Sequence, residues 1–175
     1  NKPRALTQDL VETLLEHKDL IVAAHLTCVD MSAERTLDLV RSLAAKGLKD
    51  IVALRGDPAP DHGGAFRPHP LGYQTSCEMI DALKNLGGFK IRAAAYPQGH
   101  PESRSQAADL DWLKRKFEAG ADEAITQFFF EADDFLRFRD ACVKSGIDAP
   151  IIPGILPIEN WTKTLPVRSK ISGHP

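Results

Sequence analysis

The residues best suited to chemistry in this 175-residue chain lie at or just beyond the ends of short apolar runs. They are His25 and Thr27, the tripeptide Arg55-Gly56-Asp57, and Tyr96 with His100. All of these polar groups can bind charged ligands, and the imidazole, carboxylate and phenol groups can also exchange protons with them. In α/β folds, ligands bind at the carboxyl ends of the strands. The spacing therefore predicts a binding site assembled from several strand ends.

Two of these groups also have a purely structural interpretation, which we favour when each is taken alone. His25 adjoins Ala23-Ala24 and is compatible with a hydrogen-bonded core histidine. Arg55-Gly56-Asp57 is compatible with a turn in which the Asp side chain caps backbone amides. Only their recurrence at successive strand ends favours a shared functional site.

Gln127 lies within an apolar run, between Thr126 and the phenylalanines Phe128–Phe130. A buried primary amide without partners costs on the order of 1–3 kcal/mol, so contact with a ligand and a structural role are about equally favoured. The phenylalanines are interpreted as core. The basic run Lys114–Lys116 is most simply a solvated helix end, where cations interact favourably with the helix dipole.

The elements that must position these residues alternate along the chain. Apolar runs typical of buried parallel strands occur at Leu20–Leu26, Ile51–Leu54, Ile91–Tyr96, Ala124–Phe129 and Ile151–Leu156. Apolar stripes at helical spacing lie between them, at 39–43, 77–83, 107–117 and 135–142, and the first stretch also resembles a helix. Ser32 is a predicted N-cap, and glycines that can end helices stand at Gly47, Gly87-Gly88, Gly120 and Gly146.

Strands alternating with helices predict a parallel α/β sheet with right-handed crossovers. An open doubly wound sheet and an eight-stranded barrel are equally compatible with this pattern, but polar residues at successive strand ends favour the barrel. Neither GxGxxG nor GxxxxGK[ST] occurs, so the sequence supports neither a Rossmann cofactor site nor a P-loop.

Composition narrows the class of protein. Hydrophobic residues make up 43% and charged residues 26%, with a net charge of −2, which gives no electrostatic reason to expect a nucleic-acid or membrane partner. No apolar run approaches the ~20 residues of a membrane span. Cys28, Cys77 and Cys142 are scattered, which favours buried thiols in a reducing cytoplasm over disulfides or a metal site. We expect no metal.

Seven segments, in this order and spacing, resemble the methylenetetrahydrofolate reductase family from about Thr7 to Trp161. They are Ala24–Cys28, Ala53–Pro58, Ala94–Pro97 with His100–Glu102, Asp109–Lys116, Ala124–Phe130, Phe135–Phe138 and Ile152–Pro157. A single Arg-Gly-Asp would carry little weight, whereas the ordered series is specific.

The resemblance implies a (βα)8 TIM barrel, in which this chain supplies five parallel strands, the third to the seventh. It also implies that residues 1–175 belong to a single catalytic domain whose N-terminal strands and final strand are absent here. We therefore expect the chain to be a fragment.

The family reduces 5,10-methylenetetrahydrofolate to 5-methyltetrahydrofolate with FAD, as an oxidoreductase acting on CH–NH donors. NADH or NADPH gives hydride to the flavin and leaves before the folate binds, in a ping-pong scheme. The resemblance thus implies a flavoprotein of one-carbon metabolism and methionine biosynthesis, with a small-molecule folate substrate. We further expect a cytoplasmic homo-oligomer.

Carried over by residue, the resemblance assigns twelve cofactor contacts. They are His25, Arg55, Gly56, Asp57, Gln74, Tyr96, His100, Ser103, Asp109, Trp112, Arg115 and Lys116. It assigns folate contacts to Asp57, Gln127 and Lys163, and Asp57 is the expected catalytic residue because it matches the carboxylate between flavin and folate. Arg115 and Lys116 would pair with the dianionic pyrophosphate of FAD.

The chain departs from the family pattern at three points. Trp112 stands where relatives carry a polar contact, and an indole can stack but accepts no hydrogen bond. Lys163 replaces an amide, and the general-acid glutamate belongs to the absent first strand. Two alternatives therefore stay open: a non-catalytic flavin- or folate-binding relative, and another (βα)8 flavoenzyme.

Overall fold

The computed structural model describes residues 2–29, 31–57 and 66–157. Helices and strands alternate along this part of the chain, as the sequence pattern predicts. The helices are α1 (Lys2–Leu15), α2 (Ala33–Ala45), α3 (Ser76–Leu86), α4 (Gln106–Glu118) and α5 (Ala132–Lys144). The strands are β1 (Ala23–Thr27), β2 (Asp50–Leu54), β3 (Lys90–Ala95), β4 (Glu123–Thr126) and β5 (Ile151–Ile152).

The strands form one five-stranded sheet in the order β1-β2-β3-β4-β5, so neighbours in sequence are neighbours in space. β1 pairs with β2 in parallel, with His25 opposite Val52 and Thr27 opposite Leu54. β4 pairs with β5 in parallel, with Ala124 opposite Ile151. This order confirms the predicted parallel α/β sheet and aligns the carboxyl ends of adjacent strands.

Local signals in the sequence set several helix ends. The Ser32 hydroxyl accepts a hydrogen bond from the Arg35 amide at 3.3 Å and caps α2, as predicted. Thr75, which sequence reasoning did not single out, caps α3 through the Glu78 amide at 3.2 Å. The predicted helix-ending glycines all have positive φ: Gly47, Gly87, Gly88, Gly120 and Gly146.

The chain divides into two compact units, each with its own core. The first comprises Asn1–Arg92 with Ala119–Ala121, and the second comprises Ala93–Glu118 with Asp122–Pro175. The buried apolar side chains of the first unit include Val40, Leu43, Leu48, Ile51, Met79, Ile80, Leu83 and Ile91. The core of the second unit is formed by Ala95, Leu113, Ala124, Phe138, Cys142 and Ile147.

Three strands are shorter than predicted. β1 begins at Ala23 because Leu20 and Ile21, although apolar, are exposed before it. β4 ends at Thr126 and β5 at Ile152, beyond which the Gly154 amide donates to the Thr126 side chain. Burial on both faces was also wrong for β1 and β3, whose residues alternate between buried and more exposed positions. Successive strand residues point to opposite faces, and among the described residues only one face of these strands is fully covered.

The three cysteines are free thiols. Cys28 and Cys142 are buried, which confirms the expectation for these two, and burial raises their pKa to about 12 and about 11. Cys77 is only partly buried. Within the described residues, no helix combines the length and the apolar character that crossing a membrane requires.

Candidate functional site

In the first unit, the ends of β1 and β2 lie against each other. The pairing continues beyond the strands, because the Cys28 amide donates to the Arg55 carbonyl at 3.1 Å. A Cβ added to Gly56 would come within 2.9 Å of Val29 and 3.0 Å of Thr27, and its φ is +89°. Only glycine suits this position, since it lacks the side chain and tolerates positive φ.

The side chains at these two ends are accessible. His25 is exposed, which contradicts the core-histidine interpretation that we favoured for it alone. The Arg55 guanidinium lies 4.5 Å from the centre of the Phe66 ring, in a cation–π contact. Asp57 is exposed. This edge therefore presents an imidazole, a stacked guanidinium and a carboxylate to a ligand.

Gln74 precedes α3 and is held by local contacts. Its side-chain Nε2 donates to the Gly72 carbonyl at 3.0 Å, and its backbone amide donates to the Glu78 carboxylate at 2.9 Å. Gly72 is itself tightly enclosed, since a Cβ there would lie 2.4 Å from the Met31 carbonyl. The segment carrying Gln74 is thus fixed, and the side chain is exposed.

In the second unit, four predicted cofactor contacts meet at the end of β3. The Lys116 ammonium, from α4, donates to the Ala94 carbonyl at 2.8 Å and lies 6.0 Å from the centre of the Tyr96 ring. Tyr96 and His100 make an edge-to-face pair with ring centres 4.7 Å apart. The Asp109 carboxylate accepts from the His100 amide at 3.2 Å. Sequence spacing alone did not show that this lysine reaches the strand.

Charge and burial compete at Asp109. Burial raises the pKa of the Asp109 carboxyl, while the Lys116 charge and the His100 amide offset part of that rise. The His100 Nδ1 accepts a hydrogen bond from the Glu102 amide at 3.1 Å, which orients the imidazole ring. The cluster is a preformed polar corner with one cation, one carboxyl and two aromatic rings.

A cavity of about 420 Å³ lies beside this cluster. It is lined by Glu102, Ser103, Arg104, Ala108, Asp111, Trp112 and Arg115. The Arg115 guanidinium lies 5.0 Å from the centre of the Trp112 ring, and the indole is 43% exposed. A flat apolar surface next to a cation suits a ligand that combines a ring system with an anionic group.

The residues of the basic run Lys114–Lys116 lie in two different environments. Lys114 and Arg115 are exposed, in agreement with the solvated-helix interpretation, whereas Lys116 is partly buried and bonded to β3. Arg115 also lies 3.8 Å from the Asp111 carboxylate one turn earlier. The Lys116 side chain is therefore held against β3 and is not a solvated side chain.

Gln127 is placed differently from the prediction. It follows β4 directly and is exposed, so the prediction that its side-chain amide lies in a buried strand was wrong. Its backbone amide donates to the Ala95 carbonyl at 2.7 Å, which holds it beside the end of β3. The three phenylalanines after it are partly buried, and Phe129 stacks on Phe135 at 5.3 Å.

Two contacts near these residues escaped sequence reasoning. The Thr126 hydroxyl accepts a hydrogen bond from the Gly154 amide at 2.8 Å. The Gln98 side chain donates to the Asp134 carboxylate, at the start of α5. A Pro-Gly pair after a strand is a signal for irregular backbone, but it does not identify the distant partner.

The predicted folate contact Lys163 lies outside the described residues. Among the residues that are described, no group of three histidine, cysteine or acidic side chains is arranged to hold a metal ion.

Comparison with known proteins agrees with the series of segments. The family model "Methylenetetrahydrofolate reductase" matches residues 2–173. The 5,10-methylenetetrahydrofolate reductase of Pectobacterium carotovorum is 46% identical over 158 residues, or 90% of this chain and 51% of that protein. Its counterpart from Escherichia coli K12 is 44% identical over the same shares. The chain thus spans about half the length of the curated relatives that it matches.

A solved structure shows the same fold at low sequence identity. The deoxyribose phosphate aldolase from Aeropyrum pernix gives a TM-score of 0.52 at 18% identity, covering 96% of this chain and 62% of that one. The five parallel strands are those of a (βα)8 barrel. With a family match over residues 2–173 and identities above 40%, the chain belongs to the methylenetetrahydrofolate reductase family.

Proposed function

We propose that the protein to which this chain contributes reduces 5,10-methylenetetrahydrofolate to 5-methyltetrahydrofolate, with FAD as cofactor and NADH or NADPH as reductant. Support comes from family membership and from polar groups at successive strand ends. The small-molecule folate substrate, a homo-oligomeric state and a cytoplasmic location belong to the same proposal. FAD would accept hydride from the nicotinamide and pass it to the folate.

The observation that carries the proposal is the polar corner at the end of β3 in the second unit, together with the cavity beside it. Arg115 and Lys116 supply two cations there, one beside an accessible indole and one bonded to the Ala94 carbonyl. A pyrophosphate bears negative charge and is ordinarily bound by charge-assisted hydrogen bonds from arginine and lysine. The donor set and the adjoining cavity of about 420 Å³ therefore fit part of a flavin dinucleotide.

Three residues of the corner and the adjoining cavity would each have a separate task. Lys116 has three N–H donors, one of which the Ala94 carbonyl holds, so its charge is fixed at the strand end. Trp112 would replace the polar contact of relatives by stacking. Asp109 would keep the His100 loop in place through the His100 amide.

In the first unit, Asp57 is the residue proposed to act on the reaction itself. Its exposed carboxylate follows Gly56, whose positive φ and lack of a side chain let the chain turn closely past Thr27 and Val29 at the strand ends. A carboxylate can accept hydrogen bonds from the N–H groups of a pterin. Its negative charge would also disfavour an anionic reduced ring nearby, which favours release of hydride to the folate.

Substitution of Asp57 by asparagine tests this function in the full-length protein. We expect Asp57→Asn to retain bound FAD and the rate of NAD(P)H oxidation. Folate reduction should slow about tenfold to hundredfold, the equivalent of losing one hydrogen bond to a charged group. The two half-reactions are measured separately by rapid mixing without oxygen.

Asp81→Asn is the matched control, because Asp81 is exposed on α3 and bonded only locally to Asn85 at 3.2 Å among the contacts described. It should change neither half-reaction. Equal slowing of both half-reactions in Asp57→Asn would contradict the role given to this carboxylate.

A further inference from the structure

The end of β4 is held on two sides by contacts of different kinds. On one side, the backbone amide of Gln127 donates to the Ala95 carbonyl of β3 at 2.7 Å. On the other, the Thr126 hydroxyl accepts from the Gly154 amide at 2.8 Å. Thr126 is 4% exposed, so its hydroxyl is shielded from competing water.

A side chain makes the second contact where the regular strand pairing ends. β4 and β5 pair in parallel up to Ile125 opposite Ile152. In this register alternate amides face β4, so the next donor after Ile152 is the Gly154 amide, and the Thr126 hydroxyl accepts its hydrogen bond. The threonine side chain thus continues the contact between the two segments beyond the strand ends.

The two segments also touch closely along the backbone. A Cβ at Gly154 would lie 2.1 Å from the Thr126 carbonyl oxygen and 3.3 Å from the Phe128 amide. Gly154 therefore lies directly against the backbone on either side of Gln127. A shift of this segment would move the residue whose exposed amide is proposed to contact the folate.

We infer that Thr126 is a positioning residue for the substrate: by accepting the Gly154 amide, it fixes the end of β4 and with it the Gln127 side chain. Adjacent residues of an extended segment point to opposite faces, and Thr126 is buried whereas the Gln127 side chain is exposed, so Thr126 acts from the buried face. The inference rests on the proposed function, because it presumes that Gln127 contacts the folate.

Thr126→Val keeps the shape of the side chain and removes the hydroxyl, and Thr126→Ser keeps the hydroxyl. In the full-length enzyme we expect Thr126→Val to raise the KM for methylenetetrahydrofolate about tenfold, since one buried hydrogen bond no longer orders the segment. FAD content and the KM for NAD(P)H should stay within about twofold, and Thr126→Ser should restore the folate KM to within about threefold. Thr126→Ala is the substitute if the valine variant fails to fold.

A double-mutant cycle separates positioning from general stability. If Thr126 acts through Gln127, Thr126→Val should add little to the folate KM once Gln127→Ala is present. Full additivity would overturn the inference, as would an unchanged folate KM in Thr126→Val or equal losses of FAD and folate binding. If Gln127→Ala alone raised the folate KM and Thr126→Val did not, only the inference would fail. An unchanged folate KM in Gln127→Ala would overturn both the inference and the proposed folate contact.

Discussion

Lys116 shows at the residue scale how the fold assigns a task to one member of a charged run. Three consecutive basic residues on α4 resemble one another in sequence, but only Lys116 turns toward β3 and bonds to the Ala94 carbonyl. An ammonium held in place loses less freedom on binding an anion than a solvated one does. Its neighbour Lys114 is exposed on the same helix and offers a matched comparison.

We therefore expect Lys116→Met, which keeps the length of the side chain and removes the charge, to weaken FAD binding about tenfold or more. Lys114→Met should leave it within about twofold. Titration of the full-length apoprotein with FAD, followed by flavin fluorescence, measures both dissociation constants. Equal effects of the two substitutions would contradict the proposed role of Lys116 in FAD binding and would support the solvated-helix interpretation.

The sequence could predict the residue types at this site better than their surroundings. Tyr96, His100, Asp109 and Lys116 were all candidates, yet their mutual contacts depend on where α4 docks on β3, which spacing along the chain does not specify. For Gln127, the surroundings were predicted wrongly. Its apolar neighbours indicated a buried position, but β4 ends one residue earlier, at Thr126, and the side-chain amide of Gln127 is exposed.

At the element scale, the ends of β4 and β5 depend on one glycine. Gly154 is enclosed by backbone atoms, the nearest of which would lie 2.1 Å from an added Cβ. Gly146, after α5, has the opposite problem: its φ of +76° strains other residues, but nothing lies within 4 Å of an added Cβ.

This contrast predicts the relative cost of two alanine substitutions. Gly154→Ala should lower the free energy of unfolding by about 3 kcal/mol, because backbone atoms must move to admit the methyl group. Gly146→Ala should lower it by only about 1 kcal/mol, the usual cost of a left-handed alanine. Chemical denaturation of the full-length protein measures both. A larger loss at Gly146 would mean that the close approach at Gly154 is not rigid.

The elements themselves follow well from the sequence pattern, and their ends follow less well. Alternating apolar runs and helical stripes predicted each described strand and helix in order, and Ser32 and the glycines predicted where several helices begin and end. Leu20 and Ile21 were wrongly included in β1 because apolar character alone does not establish burial. The Thr126–Gly154 contact could not be predicted, since it joins residues 28 positions apart.

For the whole molecule, the described chain supplies five strands of a barrel in two compact units and about half the length of its curated relatives. Each unit presents a distinct chemical set at its strand ends. In the first unit it is an imidazole, a guanidinium and a carboxylate, and in the second it is two cations with accessible aromatic rings. Together these sets support hydride transfer from a nicotinamide to a folate as the proposed activity.

That activity is tested most directly by mixing the full-length, FAD-loaded protein with each substrate in turn, without oxygen. We expect NADH or NADPH to bleach the flavin absorbance in the absence of folate. Methylenetetrahydrofolate, added after the nicotinamide is removed, should then restore the absorbance and yield 5-methyltetrahydrofolate. A flavin that the nicotinamide reduces but methylenetetrahydrofolate does not reoxidise would contradict the proposed activity, and so would a protein that binds no FAD.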